Sequence, residues 1–354
     1  MAYLTLEDGT IFKGESFGAK QDIMGEVVFN TGMTGYQEAL TDPSYHGQIV
    51  TMTYPVIGNY GVAAEQAESD KVQVRAFVVR ELCDEPSNWR SEGTVKEYLE
   101  KYEIPCLYGI DTRELTRLIR ERGTMRGIIT QVPPSAKQID EMKGYEIRLP
   151  VNEVTCREKY TYGDGPRKVA VLDFGLKRNI LRSLEKRGCS LTVFPALTPP
   201  EEILSGNFDG LMLTNGPGNP RVNTKIVENL KPLVGKLPIF GICLGHQLLA
   251  LAMGAETEKL KYGHRGSNHP VKDLQKNRIY ITSQNHGYTI KSQSLPACAV
   301  VSHKSWNDQT IEGVKYVGYP MFTVQFHPEA APGPEDTAYL FDEFIELMDG
   351  RTYL

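Results

Sequence analysis

Cys243 lies in a pattern that can make a thiol reactive. Residues 241–245 read Gly-Ile-Cys-Leu-Gly, between an apolar run that predicts a strand and a segment that predicts a helix. Two glycines allow a sharp turn that lifts the side chain between them out of the sheet, and the positive end of a helix dipole stabilises a thiolate. The pattern predicts a cysteine nucleophile. The competing interpretation is a structural cysteine buried at the end of a strand.

A histidine and a glutamate near the end of the chain can assist such a thiol. His327 and Glu329 are two apart in residues 325–329 (Gln-Phe-His-Pro-Glu), after a predicted strand, so both side chains project from the same side. A nucleophile needs a base to take its proton, and the base needs a third group to hold its tautomer. Alone, the pair is more typical of a strand-end histidine beside a carboxylate. With Cys243 in the same domain, it predicts a catalytic triad.

A loop rich in glycine and proline can accommodate a developing negative charge. Residues 215–220 read Asn-Gly-Pro-Gly-Asn-Pro and directly follow the apolar run 210–213. Such a loop is rigid, lets a ligand approach the backbone and can direct N–H groups at an anion. Attack on an amide creates an oxyanion, which N–H donors of this kind stabilise. An ordinary turn has the same composition.

The elements around these motifs alternate between apolar strands and helices. This alternation predicts an α/β domain with a mainly parallel sheet covered by helices on both faces. The predicted strands are 168–172, 191–194, 210–213 and 237–242, and the helices are about 179–186, a short one after Pro199-Pro200 and one around 222–234. Beyond residue 255 we expect strands near 279–283, 297–301, 310–316 and 321–326, and a last helix at about 336–348.

The length of 354 residues predicts two domains. The first, 1–133, contains apolar segments at 49–54 and 72–79 and a helix from Asp111 to about Arg122. A stretch rich in proline and glycine, 134–166, is interpreted as a partly ordered linker, and 167–354 is the second domain.

Composition excludes several classes of protein. The chain has 39 basic and 44 acidic residues, which gives no reason to expect nucleic acid or an anionic membrane as a partner. The apolar run 237–255 contains His246 and Gln247 near its centre, so a strand, a turn and a helix explain it better than a membrane span. The start of the chain does not resemble a signal peptide. Six cysteines without a Cys-x-x-Cys pair predict reduced thiols and a cytoplasmic protein. The seven histidines include no His-x-x-x-His pair, so no metal site is expected.

The three motifs, in this order, resemble class I glutamine amidotransferases over about 167–354. The resemblance implies that a cysteine attacks the side-chain amide of glutamine, releases ammonia and forms a glutamyl thioester that water cleaves. Carried over, Cys243 is the nucleophile, His327 the general acid and base, and Glu329 the carboxylate that orients the imidazole. The backbone at Leu244 and in the Gly216 loop would stabilise the oxyanion.

Motifs elsewhere resemble the small chains of carbamoyl phosphate synthetases, over nearly the whole chain. They are residues 31–38 (Thr-Gly-Met-Thr-Gly-Tyr-Gln-Glu), 41–45 (Thr-Asp-Pro-Ser-Tyr), 109–117 (Gly-Ile-Asp-Thr-Arg-Glu-Leu-Thr-Arg) and 263–270 (Gly-His-Arg-Gly-Ser-Asn-His-Pro). The glutamine contacts that this resemblance implies are Ser44, Gly216, Gly218, Leu244, Gln247, Asn285, Gly287 and Tyr288. Tyr288 stands where the family often has phenylalanine, so the role of its hydroxyl is open.

The resemblance also implies a large-chain partner. Ammonia would pass to that chain, which would make carbamoyl phosphate from bicarbonate and ATP for arginine or pyrimidine biosynthesis. Since this sequence has no Gly-x-x-x-x-Gly-Lys-Ser/Thr loop, we expect no cofactor here and place ATP and Mg²⁺ on the large chain. One alternative is a glutaminase subunit for anthranilate or GMP synthesis, which would lack the N-terminal domain. The other is a non-catalytic regulatory module, against which the intact triad argues.

Overall fold

The computed structural model describes residues 1–351. They form two compact units that divide between Arg148 and Leu149. The segment 134–166, interpreted as a linker, lies across this division and holds two helices and a strand. Part of its order has a local cause, because the hydroxyl of Ser135 accepts a hydrogen bond from the backbone N–H of Gln138, whose own side chain bonds back in a capping box.

The first unit is built on a closed barrel. Its strands are β1 (Ala2–Leu6), β2 (Ile11–Phe17), β3 (Ile23–Asn30), β4 (Gln48–Met52), β5 (Val56–Ile57), β6 (Ala76–Val78), β7 (Glu81–Leu82), β8 (Cys106–Tyr108) and β9 (Met125–Thr130). Seven of them close in the order β1-β2-β8-β6-β4-β3-β9, and β5 pairs with β7 separately. Neighbouring residues of a strand face opposite sides, and both Val27 and Val28 are fully buried. The barrel wall is therefore covered on both sides at β3.

Helices pack on this barrel. They are α1 (Tyr36–Thr41), α2 (Val95–Lys101), α3 (Thr112–Arg122) and α4 (Ala136–Lys143). The prediction of α3 is confirmed: Asp111 Oδ1 accepts from the N–H of Glu114 at 2.9 Å, and Gly123, with φ 100°, ends the helix. Of the segment 72–79, which the apolar pattern favours as a strand, only β6 is strand.

The second unit contains a ten-stranded sheet. Its strands are β10 (Tyr160–Tyr162), β11 (Arg167–Asp173), β12 (Cys189–Pro195), β13 (Gly210–Leu213), β14 (Ile239–Ile242), β15 (Thr257–Asp273), β16 (Arg278–Ile290), β17 (Ala299–Ser305), β18 (Ile311–Tyr316) and β19 (Met321–Val324). They follow the order β10-β12-β11-β13-β14-β19-β18-β17-β15-β16. In this spatial order, the five neighbouring strands β12, β11, β13, β14 and β19 are parallel to one another, and the other neighbouring pairs are antiparallel.

Helices cover the parallel part of this sheet. They are α5 (Val151–Val154), α6 (Arg178–Glu185), α7 (Pro200–Leu204), α8 (Thr224–Leu230), α9 (Leu244–Ala252) and α10 (Tyr339–Met348). Successive residues of β11 alternate between two apolar clusters: Ala170 and Leu172 pack with α8 and α9, whereas Val169 and Val171 pack with α6 and α10. The α/β layering expected from the sequence is confirmed. None of the helices in residues 1–351 is long and apolar enough to cross a membrane, and 237–255 forms β14, a turn and α9.

Candidate active site

Cys243 occupies the turn between β14 and α9, with φ 53° and ψ −102°. A side chain on a residue with positive φ strains the backbone, and such strain is characteristic of functional sites. The flanking glycines permit this geometry. A Cβ on Gly245 would lie 2.4 Å from the carbonyl oxygen of Leu213, and one on Gly241 would lie 2.8 Å from Cγ2 of Thr323. The structure therefore forms the sharp turn that the two glycines predict.

The topology of the sheet brings His327 towards Cys243. β14 and β19 are parallel neighbours, and the N–H of Cys243 donates to the carbonyl of Val324 at 2.9 Å. The carboxyl ends of parallel strands share one edge of the sheet, so the segments after both strands leave from the same place. The N–H of His327 also donates to the carbonyl of Ser283 at 2.9 Å, which ties the segment to β16.

His327 and Glu329 form a buried pair. His327 Nδ1 lies 2.6 Å from Glu329 Oε1, and both residues are almost fully buried. A carboxylate accepts, so Nδ1 carries the proton, and Nε2 is left to accept a proton from a thiol. The Cys243 side chain acts on the ring as a hydrogen-bond partner and helps to raise the pKa of His327. Burial opposes the charged ring, but the Glu329 carboxylate outweighs it, and the pKa of His327 is raised. The pair therefore makes His327 a stronger base.

Lys177 is a further member of this group that the sequence did not suggest. Its Nζ lies 3.0 Å from Glu329 Oε1 and 2.5 Å from the carbonyl oxygen of Ala330, and its side chain is 2% exposed. Burial raises the pKa of Glu329, but the Lys177 ammonium and the His327 ring hold it well below its usual range. Lys177 follows β11, another strand of the parallel part of the sheet. This position at the carboxyl end of a parallel strand is the feature of the sequence that could have suggested a role for Lys177 in the site.

Residues of α9 and β16 meet beside the thiol. Gln247 Nε2 donates to the carbonyl of Tyr288 and to Gln325 Oε1, both at 2.8 Å. The Cys243 thiol donates to the carbonyl of Asn285 at 3.7 Å. Gly287 lies between these carbonyls on β16 and is half-buried. The structure thus brings together this part of the expected glutamine contacts.

The glycine loop after β13 approaches the same helix. A Cβ on Gly216 would meet the carbonyl oxygen of Phe174 at 2.2 Å and Leu244 Cδ2 at 2.7 Å. Gly218 has φ 88°, in the left-handed region that favours glycine. Leu244 begins α9, where the first backbone N–H groups have no partner inside the helix. The loop and the helix start are therefore in contact.

Ser44, the remaining expected contact, belongs to the first unit. It lies in a short 3-10 helix, 43–45, and is buried. Its backbone N–H donates to Oδ1 of Asp42 at 2.8 Å, which fixes the start of that helix. A contact between Ser44 and glutamine stays a prediction.

Comparison with known proteins identifies the family. Residues 4–129 match the family model described as carbamoyl-phosphate synthase small chain, CPSase domain, and residues 170–347 match glutamine amidotransferase class-I. The carbamoyl phosphate synthase small chain of Clostridium perfringens is 53% identical, over 98% of this chain and 99% of that relative. The chain belongs to the carbamoyl phosphate synthase small chain family. This membership decides against a subunit for anthranilate or GMP synthesis.

Other members of the family are similar to the same degree. The carbamoyl phosphate synthase small chain of Bacillus caldolyticus is 52% identical, over 98% of this chain and 96% of the relative. The pyrimidine-specific small chain of Bacillus subtilis is 51% identical, over 98% and 95%. Family membership and the amidotransferase domain show a glutamine-hydrolysing synthase subunit.

Proposed function

We propose that Cys243, His327 and Glu329 hydrolyse L-glutamine through a glutamyl thioester. The observation that carries this proposal is a buried imidazole held by Glu329 at 2.6 Å, on the segment after β19, next to a strained cysteine at the end of the neighbouring strand β14. A nucleophile, a base and an orienting carboxylate are the parts that thiol catalysis requires.

The reaction follows from these positions. His327 Nε2 takes the thiol proton, and the thiolate attacks the side-chain carbonyl carbon of glutamine. The oxygen becomes an oxyanion, for which the N–H of Leu244 and the Gly216 loop are the proposed donors. The C–N bond breaks as His327 returns the proton to the leaving nitrogen, which departs as ammonia. Water, deprotonated by the same imidazole, then cleaves the thioester to glutamate and restores the thiol.

The proposed glutamine contacts surround this thiol. Gln247, Asn285, Gly287 and Tyr288 lie on the α9–β16 side, and Gly216, Gly218 and Leu244 on the loop side; Ser44 is proposed from the family resemblance. Glycines leave backbone groups accessible to a small zwitterionic ligand, while the Gln247 amide offers hydrogen bonds.

The partner and the setting belong to the same proposal. The matched relatives are named as small chains, which supports a large-chain partner that receives ammonia, holds ATP and Mg²⁺ and makes carbamoyl phosphate. Identities of 51–53% to relatives with and without the pyrimidine-specific name do not separate arginine from pyrimidine biosynthesis. A cytoplasmic location is supported by the six free cysteines.

Glutamate release from glutamine tests the proposal. The purified chain is assayed alone and with a carbamoyl phosphate synthetase large chain supplied with ATP and bicarbonate. We expect slow release alone and a large increase with the partner. Release that ignores the partner would contradict the proposed coupling, and no release from folded protein in either assay would leave the non-catalytic module.

A further inference from the structure

Three buried side chains outside the triad bring potential metal ligands together. His264 on β15, His286 on β16 and Glu312 on β18 each offer one ligand atom, and these atoms lie within 4.8 Å of one another. His264 and His286 are direct partners in the β15–β16 register, and register irregularities lie on both sides of His264. Irregularities of this kind re-aim side chains and are frequent beside functional sites. Among residues 1–351 this is the one group of such composition.

Each of the three side chains is oriented by a second partner. His264 Nε2 lies 2.8 Å from Asp308 Oδ2, and His286 Nδ1 lies 2.8 Å from the carbonyl oxygen of Tyr288. Gln284 Nε2 donates to Oε2 of Glu312 at 2.8 Å. A histidine that ligates a metal usually donates its other N–H to a carboxylate or a backbone carbonyl, and a ligating carboxylate is itself hydrogen-bonded. This outer arrangement is the one that a metal site requires.

The inward-facing atoms are buried and point at one another. His264 Nδ1 and Glu312 Oε1 face each other as an ion pair at 3.4 Å, and His286 Nε2 makes no hydrogen bond within residues 1–351. Because a carbonyl oxygen only accepts, Nδ1 of His286 carries its proton and Nε2 presents a lone pair. That lone pair faces Oε1 of Glu312 at 3.8 Å. Two buried acceptors in this arrangement leave a desolvation penalty that a cation between them would remove.

We propose that the side chains of His264, His286 and Glu312 bind a divalent transition-metal ion, Zn²⁺. Zinc–nitrogen and zinc–oxygen bonds of about 2.0–2.2 Å place tetrahedral ligands about 3.3–3.6 Å apart. Glu312 Oε1 lies 3.4 Å from Nδ1 of His264 and 3.8 Å from Nε2 of His286, close to this spacing.

Such an ion would fix the strand that lies beside the thiol. β17 and β15 separate β18 from β16 in the sheet order, yet Gln284 contacts Glu312, so this part of β16 lies against β18. His286 follows Asn285, whose carbonyl accepts from the Cys243 thiol. A metal that ties these strands together would hold Asn285 in place. The effect of the metal on the thiol site rests on the proposed function, whereas metal binding itself is independent of that function.

Metal content of the purified full chain tests the site. The chain is stripped with a chelator, dialysed against micromolar zinc chloride and assayed by elemental analysis. We expect about one zinc per chain in the wild type and, since outer partners contribute about 10–100-fold to affinity, a weaker site in Asp308→Asn. The matched control is His303→Asn, which changes another buried histidine of this sheet beside a carboxylate, Asp273, and should retain zinc.

Cobalt provides a second measurement that does not depend on a variant folding. The stripped wild type, titrated with Co²⁺, should develop the visible bands of four-coordinate cobalt with nitrogen and oxygen ligands, and zinc should abolish them. A wild type that takes up neither metal, or an Asp308→Asn variant with unchanged zinc affinity, would overturn the proposal and leave a protonated histidine–carboxylate network. Zinc binding by a chain without glutaminase activity would contradict the proposed function and leave the metal site standing.

Discussion

Glu329 and Glu312 are buried carboxylates of the same unit that differ in the cation facing them. Glu329 has the ammonium of Lys177 at 3.0 Å and the imidazole of His327 at 2.6 Å. Glu312 faces two imidazoles, of His264 at 3.4 Å and of His286 at 3.8 Å. Because a buried carboxylate needs compensation, the first site has an ammonium beside its carboxylate, whereas the imidazoles at the second compensate it through a proton or through a bound metal ion.

The largest expected difference between the two sites is in catalysis. Cys243→Ala removes the nucleophile, and we expect kcat for glutamine hydrolysis to fall by about 10⁴-fold or more. His264→Asn leaves the reacting groups in place, so its decrease should be far smaller. Steady-state glutamate release measures both, and equal losses in the two variants would break the distinction between the sites.

Removing the internal cation should destabilise the triad. In Lys177→Met the carboxylate of Glu329 stays buried without its ammonium, and we expect a loss of about 3–5 kcal/mol in the free energy of unfolding. Urea denaturation measures it. The double variant Lys177→Met/Glu329→Gln removes both charges and should recover part of the loss. Wild-type stability in Lys177→Met would show that the ion pair does not compensate the carboxylate.

The triad should also make stability depend on pH in a fixed direction. The pKa of His327 rises from 6.5 to about 10 on folding, because the Glu329 carboxylate outweighs burial. The resulting stabilisation is complete below pH 6.5 and is lost as the pH rises towards about 10. The free energy of unfolding should therefore fall more steeply over this range in the wild type than in His327→Gln. Equal slopes in urea denaturation would contradict the raised pKa.

The smallest effect is expected at the second carboxylate without metal. Glu312→Gln removes a buried charge that faces two imidazoles at 3.4 and 3.8 Å and keeps an acceptor for Gln284. The free energy of unfolding of the metal-free chain should therefore change by no more than about 1 kcal/mol. The same urea titration measures it. A loss as large as that of Lys177→Met would mean that a protonated histidine already serves as the cation of Glu312.

The two sites also differ in how far the sequence predicts them. Cys243 and His327 each follow an apolar strand of a predicted parallel sheet, and such strands direct the segments after their carboxyl ends to one edge. The cluster of His264, His286 and Glu312 depends on β15. The sequence of β15 is polar and shows no clear alternation of polar and apolar residues, so it predicts no strand. Pairing with β16, rather than the local sequence preference, makes this segment a strand.

Neither the role of Lys177 in the active site nor the closed barrel of the first unit was predicted, and in both cases the contacts join residues that are distant in sequence. A lysine is rarely buried unless it is paired, and its partner Glu329 is far away along the chain, so spacing gives no signal. In the first unit, β6 and β8 have three residues each, too few to show a period, and the closed order joins strands that are distant in sequence. The helix α3 was predictable because its cap, apolar stripe and terminal glycine are local.

Trapping the covalent intermediate tests the central claim most directly. The wild-type chain is mixed with glutamine, quenched in acid within one turnover, digested and examined by mass spectrometry. The account predicts a glutamyl group on the peptide that contains Cys243, and none in Cys243→Ala. Glutamate release without this adduct, or an adduct on another cysteine, would contradict the assignment of Cys243 as the nucleophile.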